Sequence, residues 1–284
     1  MEGYLDPQDG RRRDQPMSCP HTGYPQWVVL HVPHDSAEVP SSVRGQFLLD
    51  EVQMAAELDR MTDHLTMALF SDPESKLQVV RAPVSRLVVD VERFACDGDE
   101  PMAARGMGAV YAVTSHQLPL RRPLSVEERE RLMREYYFPH HARLEAAFSC
   151  AIQSEGYCLL IDCHSFPGSA LPYELATPDL TRPDICIGTD PFHTSAEIAR
   201  AFVMEFERAG WRVGVNDPFA GALVPSSRYR SDRRVGAVMV EVNRRLYLDE
   251  RTAKPLPVFS KVSGQIKGCC MAAAAACRAP ERLE

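Results

Sequence analysis

Short apolar runs alternate along the chain with longer stretches of helical spacing. WVVLHV at 27–32 is apolar nearly throughout, β-branched and stopped by Pro33, which predicts a strand buried on both faces. Residues 42–70 carry Phe47, Val52, Leu58, Met61, Leu65 and Leu69 at intervals that predict a helix. LQVVRAPVSRLVVDVERF at 77–94 predicts two short strands around a Pro-containing turn. Ser125 followed by Glu128 is the reciprocal capping pattern, and it opens a predicted helix to residue 152 with a break at Pro139. YCLLIDCHS at 157–165 and DICIGTD at 184–190 predict strands, followed by a helix from Thr194 to Ala209 closed by Gly210. WRVGVN at 211–216 and VGAVMVEVN at 235–243 complete the predicted strands, and one more helix is expected near the C-terminus.

Strands alternating with helices, several of them apolar on both faces, predict an α/β fold. Its central sheet would be mostly parallel or mixed, with helices on both faces. Residues 1–25 are polar, rich in Pro and Gly and aperiodic, so they are expected to form a flexible arm. A single α/β catalytic domain is expected over 26–268 and a tail over 269–284. Ligands of such sheets bind just beyond the carboxyl ends of strands, and His34, Asp90, His164, Asp190 and Glu241 all lie at or near such ends.

Composition narrows the class further. Apolar residues make up 45% and charged residues 25%, an ordinary globular balance, and a formal net charge of -7 disfavours nucleic acid or an anionic membrane as partner. The most apolar text, CCMAAAAAC at 269–277, is too short to span a bilayer. Nine scattered cysteines without C-x2-C spacing read as free thiols of a cytoplasmic protein. Oligomeric state has no signature in the sequence.

Two imidazoles from distant strand ends, His34 and His164, joined by a carboxylate, are the ordinary composition of a zinc centre that keeps one position for water. Spacing leaves three candidates for the carboxylate. Asp63 is favoured over Glu38, because an acid on an otherwise apolar helix needs a partner, and Asp35 is also near enough. His31 precedes His34 by three in extended chain and is read as structural. Asp162 shares the strand face of His164 and could orient it through the other ring nitrogen. Glu241 interrupts the buried run AVMVEV, where a general base is one reading and an ion pair with Arg244 or Arg245 the other. Arg86, Arg93, Arg105 and Arg244 are candidates for holding a substrate carboxylate through paired hydrogen bonds. Nucleophile-elbow, dinucleotide, phosphate-loop and H-E-x-x-H motifs are all missing. Two imidazoles and an acid also suit a non-haem iron oxygenase by ligand type.

The set resembles the N-formylglutamate amidohydrolase family. The resemblance rests on VPHDSAEVP, RMTDHLTMALF, SRLVVDVERF, YYFPHHARLE, LLIDCHSFPG, NDPFAG and VMVEVNRRLY, which occur in this order over roughly residues 27–250. It implies a zinc-carboxypeptidase-like (phosphorylase/hydrolase-like) fold. It also implies hydrolysis of an N-formyl or N-acyl amino acid such as N-formylglutamate by activated water. One Zn2+ per chain, or another divalent ion in its place, is implied as cofactor, and a small acylated amino acid or related carboxylate as substrate. His34 and His164 match the metal histidines, Asp63 the acid of the helix motif, and Glu241 the glutamate that acts on water. Two positions depart from the pattern: PHDS stands where PHSG or PHAG is usual, and Glu92 stands beside Arg93 where the carboxylate-holding pair has asparagine. Those departures make a substrate-diverged or non-catalytic metal-binding member the alternative reading.

Overall fold

The computed structural model describes residues 24–72, 77–174 and 181–277. Six strands form the central sheet: β1 (Val28–Val32), β2 (Gln78–Arg81), β3 (Cys158–Phe166), β4 (Ile185–Gly188), β5 (Val213–Val215) and β6 (Val235–Asn243). Their order is β2-β1-β3-β6-β4-β5. β2, β1, β3 and β6 run parallel, whereas β4 pairs antiparallel with β6 and parallel with β5, so the sheet is mixed. Every residue of β1, β3 and β6 is buried, as continuous apolar runs require of strands covered on both sides.

Seven α-helices surround the sheet: α1 (Ser41–Arg44), α2 (Glu51–Met61), α3 (Thr66–Phe70), α4 (Val126–Leu132), α5 (Phe138–Glu155), α6 (Ala196–Arg208) and α7 (Phe259–Ala276). On one face Leu30, Ile161 and Val240 pack with Leu69 of α3, Phe202 of α6 and Ile266 of α7. On the other, Val29, Leu160 and Ala237 pack with Leu144 and Phe148 of α5. A separate core joins α2, the 84–120 segment and α4 through Met54, Leu87, Tyr111 and Leu132.

Local chemistry sets the boundaries. Ser125 and Glu128 form the capping box of α4, and Pro139 falls in the first turn of α5. A π-helical turn at Met133–Tyr137 joins the two helices. Gly156, at φ 76°, takes the left-handed conformation that ends α5 without a Cβ clash.

Three expectations need correction. The helical spacing over 42–70 resolves into three helices, because Asp50 and Gln53 build a fresh capping box and Leu65 is left-handed at φ 66°. The second strand expected within 77–94 does not form. Asp90 there accepts from the Glu92 backbone N–H at 2.9 Å, a local bond that competes with a strand ladder, while Leu87, Val88 and Val89 are buried in the α2 core. The tail expected from 269 is helical to Ala276, with Cys270, Ala273 and Ala274 fully buried. The expected arm lies outside the described residues except Tyr24 and Pro25, and Tyr24 donates to the Phe70 carbonyl at 3.0 Å.

Gly188, at the end of β4, admits the 217–224 loop against the sheet, since a methyl there would stand 2.5 Å from the Gly221 carbonyl oxygen. Gly188→Ala is expected to cost about 1–3 kcal/mol by overpacking. The check is a chemical denaturation curve, and an unshifted midpoint would show that the loop is not held there.

Candidate active site

Three parallel strands end side by side and deliver the polar residues. His34 lies two residues past β1, His164 sits within β3, and Glu241 in β6 is the Cα partner of His164 across the β3–β6 pair. Asp63 arrives from the break after α2 rather than from mid-helix, and its backbone N–H donates to the His34 carbonyl at 2.9 Å, which locks the turn to the strand end. His34, Asp63 and His164 are all buried, and one ligand atom from each lies within 4.8 Å of the others. Asp63 Oδ2 is 3.1 Å from His164 Nδ1 and 3.8 Å from His34 Nδ1.

The far side of each ring is anchored. His34 Nε2 donates to Asp90 Oδ1 at 2.8 Å, and His164 Nε2 to Asp162 Oδ1 at 3.2 Å. Fixing Nε2 turns both Nδ1 atoms toward Asp63, and His34 Nδ1 is a buried nitrogen with no hydrogen-bond partner. Two imidazoles oriented by carboxylates, plus one carboxylate oxygen, could supply three donors to a divalent metal ion. Burial alone would lower the His164 imidazole, but Asp162 and Asp63 hold it well above the ordinary histidine range, so positive charge is already favoured at this point. The residues present therefore fit a cation.

The carboxylates are held in turn. Burial would raise Asp63, but the hydrogen bond from His164, the nearby His34 imidazole and the Arg244 guanidinium keep it well below the usual range. Arg244 Nη2 donates to Asp63 Oδ1 at 2.9 Å, and its other donors reach the Arg60 carbonyl at 2.7 Å and Ser165 Oγ at 3.2 Å. Asp90 is likewise kept ionised against burial by His34, Arg86 and Arg93. Its Oδ2 accepts from the Tyr111 hydroxyl and stands 3.3 Å from Arg86 Nη2 and 3.5 Å from Arg93 Nε.

Glu241 has little such support. Its Oε2 is buried without a partner, and burial pushes its carboxyl up to about 8. The alternative reading, an ion pair with Arg244 or Arg245, has no such pair among the described residues: Arg244 donates to Asp63 at 2.9 Å and Arg245 to Asp184 at 2.8 Å.

A cavity of about 490 Å3 is lined by His34, Asp63, His164, Glu241, Arg86, Arg93 and Arg244. Arg105 is not among the lining residues, and it donates to the Tyr173 carbonyl at 2.7 Å. Glu38 is exposed, and Asp35 pairs with Arg81 at 3.1 Å; neither lines the cavity.

Several members of the site carry no signal in the sequence. Asp90 lies near a predicted strand end, where nothing in the sequence marks it as the partner of His34. His31 faces away from His34 and joins a buried string: its Nδ1 donates to Asp162 Oδ1 at 2.8 Å, and its Nε2 lies 2.8 Å from His140 Nε2. Burial would lower His31, but Asp162 and Glu92 hold it up at about 9, while burial and His31 press His140 down to about 2. At neutral pH His31 therefore donates from both nitrogens and His140 accepts. Glu92 Oε1 sits 3.1 Å from His31 Nδ1, whose proton Asp162 already takes. No spacing rule could pair His31 with His140 across 109 residues.

Comparison with known proteins identifies the family to which this chain is similar. The profile of the family described as N-formylglutamate amidohydrolase matches residues 27–248. An N-formylglutamate deformylase of Pseudomonas putida is 25% identical over 236 residues, covering 78% of this chain and 82% of that protein. Its Pseudomonas aeruginosa namesake is 27% identical over 241 residues, covering 79% and 83%. The crystal structure of N-formylglutamate amidohydrolase from Ralstonia eutropha JMP134 superposes with a TM-score of 0.77 at 21% identity, covering 89% of this chain and 95% of that one. A structure from Agrobacterium tumefaciens follows at a TM-score of 0.58 and 19% identity, covering 86% and 90%. The shared fold is that of these amidohydrolases, a mixed sheet flanked by helices.

If Asp90 and Asp162 aim the two rings, Asp90→Asn and Asp162→Asn should each weaken zinc binding about 10–100-fold, as measured by competition with a chromogenic chelator. Affinity unchanged in both variants would show that the rings are aimed by something else.

Proposed function

The chain belongs to the N-formylglutamate amidohydrolase family, and from that premise we propose that it is a metal-dependent hydrolase cleaving the amide of an N-formyl or N-acyl amino acid. His34, Asp63 and His164 would hold one divalent ion, and zinc is the metal proposed for this set of two nitrogens and one oxygen. When bound, the ion supplies Lewis acidity, which makes a water a better nucleophile at neutral pH and polarises the scissile carbonyl. The observation that carries the reading is the pair of anchored imidazoles whose free nitrogens face Asp63, with Glu241 on the neighbouring strand.

The protein's own groups would act as follows. Arg86 and Arg93 share one Asp90 between them, which leaves positive charge facing the cavity for a substrate carboxylate. Glu241 takes the proton of the attacking water on its unpartnered Oε2 and returns it to the leaving nitrogen. Its burial raises its proton affinity toward neutrality, which suits a group that must both accept and donate. Arg244 keeps Asp63 ionised and oriented, so its contribution to substrate binding is secondary to that contact. Asp162 and Asp90 prevent the imidazoles from rotating. Kinship with zinc carboxypeptidases and a single ion per chain belong to the same proposal.

A reducing compartment such as the cytoplasm is part of this reading too. The eight described cysteines are unpaired, and among the described residues no helix is long and apolar enough to cross a membrane.

Glu241→Gln tests the assignment. It should leave zinc content unchanged while lowering kcat about 10²–10⁴-fold on any N-acyl amino acid the wild type hydrolyses. Full turnover in that variant would remove Glu241 from the chemistry. His34→Ala should instead lose zinc and turnover together, as metal analysis beside an amine-release assay would show.

A further inference from the structure

We infer that the preferred substrate is a monocarboxylate, an N-formyl amino acid with an apolar or aromatic side chain, rather than the dicarboxylate N-formylglutamate. The inference rests on the amidohydrolase reading of the same site and adds the side-chain class.

It begins from the arginines. Four of them line the cavity, and each already faces a carboxylate of the protein. Arg60 bonds Glu57 at 2.9 Å, and Arg244 bonds Asp63 at 2.9 Å, so neither has charge to spare. Arg86 and Arg93 are the exception, because both lean on the single carboxylate of Asp90. Glu100 is 3.7 Å from Arg93, but its two oxygens already accept the backbone N–H groups of Phe94 and Met102. Arg86 Nε and Arg93 Nε are buried without a hydrogen-bond partner, so the pair keeps N–H donors for one substrate carboxylate. The α-carboxylate common to all acyl amino acids takes that place, and no cavity guanidinium among the described residues is left for a second.

What surrounds that place is apolar or negative. Phe94 follows Arg93 directly, and its ring meets Tyr229 edge-on at 6.3 Å between centroids. Tyr137 spends its hydroxyl on the Arg93 carbonyl at 2.7 Å and presents its ring. Met102, Leu171 and Tyr173 continue the same wall. The other neighbour of Arg93 is Glu92, a carboxylate that also lines the cavity and whose Oε1 stands 3.1 Å from His31 Nδ1. A second substrate carboxylate would be stripped of water against this wall with a like charge beside it, whereas a hydrophobic side chain gains by the burial.

The test is a panel of N-formyl-L-phenylalanine, N-formyl-L-leucine, N-formyl-L-glutamine and N-formyl-L-glutamate. Glutamine separates charge from length. Turnover is read on zinc-loaded wild type, and binding by calorimetry on zinc-loaded Glu241→Gln protein. The phenylalanine and leucine compounds should exceed N-formylglutamate at least about tenfold in kcat/KM and in affinity, with glutamine between. In Glu92→Gln the disadvantage of glutamate relative to glutamine should shrink. N-formylglutamate equal to or better than the apolar compounds, or none of the four binding, overturns the inference. Preferential binding of the apolar compounds without turnover of any would uphold it and reject the amidohydrolase reading instead.

Discussion

An imidazole has two nitrogens, and burying it obliges each to find a partner or to wait for one. His34 and His164 meet this constraint asymmetrically: each commits Nε2 to a fully buried aspartate and turns Nδ1 toward Asp63. The direction of both rings follows from where Asp90 and Asp162 stand, so the site is built from outside inward. Asp162 is fixed by β3 itself and by the Leu223 N–H, which donates to Oδ2 at 3.0 Å. Asp90 is fixed by an unusual number of donors for one carboxylate: His34, Tyr111, the Glu92 backbone and the Arg86–Arg93 pair.

Such an arrangement is costly to folding. Asp162 and Glu241 within β3 and β6, and Asp63 and Asp90 on the segments outside the strands, are all buried in an environment that disfavours charge. Three of them are satisfied by imidazoles and guanidiniums, and the fourth, Glu241, is not. Where a fold concentrates buried charge and leaves one acid short of partners, chemistry rather than stability explains the choice. The large apolar packing on both sheet faces is what tolerates it, with Phe148 on one side and Phe202 and Phe206 on the other.

Much of this was legible in the sequence, and the parts that were not share a cause. β1, β3 and β6 were readable because a strand buried on both faces is apolar throughout, and the residues that interrupt or follow such runs stand out: His34, His164 and Glu241. Asp63 was flagged as an acid in apolar surroundings, although the helix thought to carry it breaks before reaching it. Asp90 hid inside LVVDV, whose β-branched text reads as a strand but folds as a turn once its carboxylate bonds its own backbone. The arginines were legible as charge, but their allegiances were not. Arg105 bonds the Tyr173 carbonyl and does not line the cavity, Arg244 serves Asp63, and only Arg86 and Arg93 face the cavity with a shared partner. Partners distant in sequence, such as His31 and His140, leave no local trace.

The claim on which all of this turns is that two imidazoles and one carboxylate converge on a single ion. X-ray absorption at the zinc edge on the zinc-loaded protein addresses it most directly. The account predicts a low-coordinate shell of nitrogen and oxygen at about 2.0–2.1 Å with the outer scattering of two imidazoles and no sulfur. A spectrum with sulfur at about 2.3 Å, or without imidazole scattering, would contradict it.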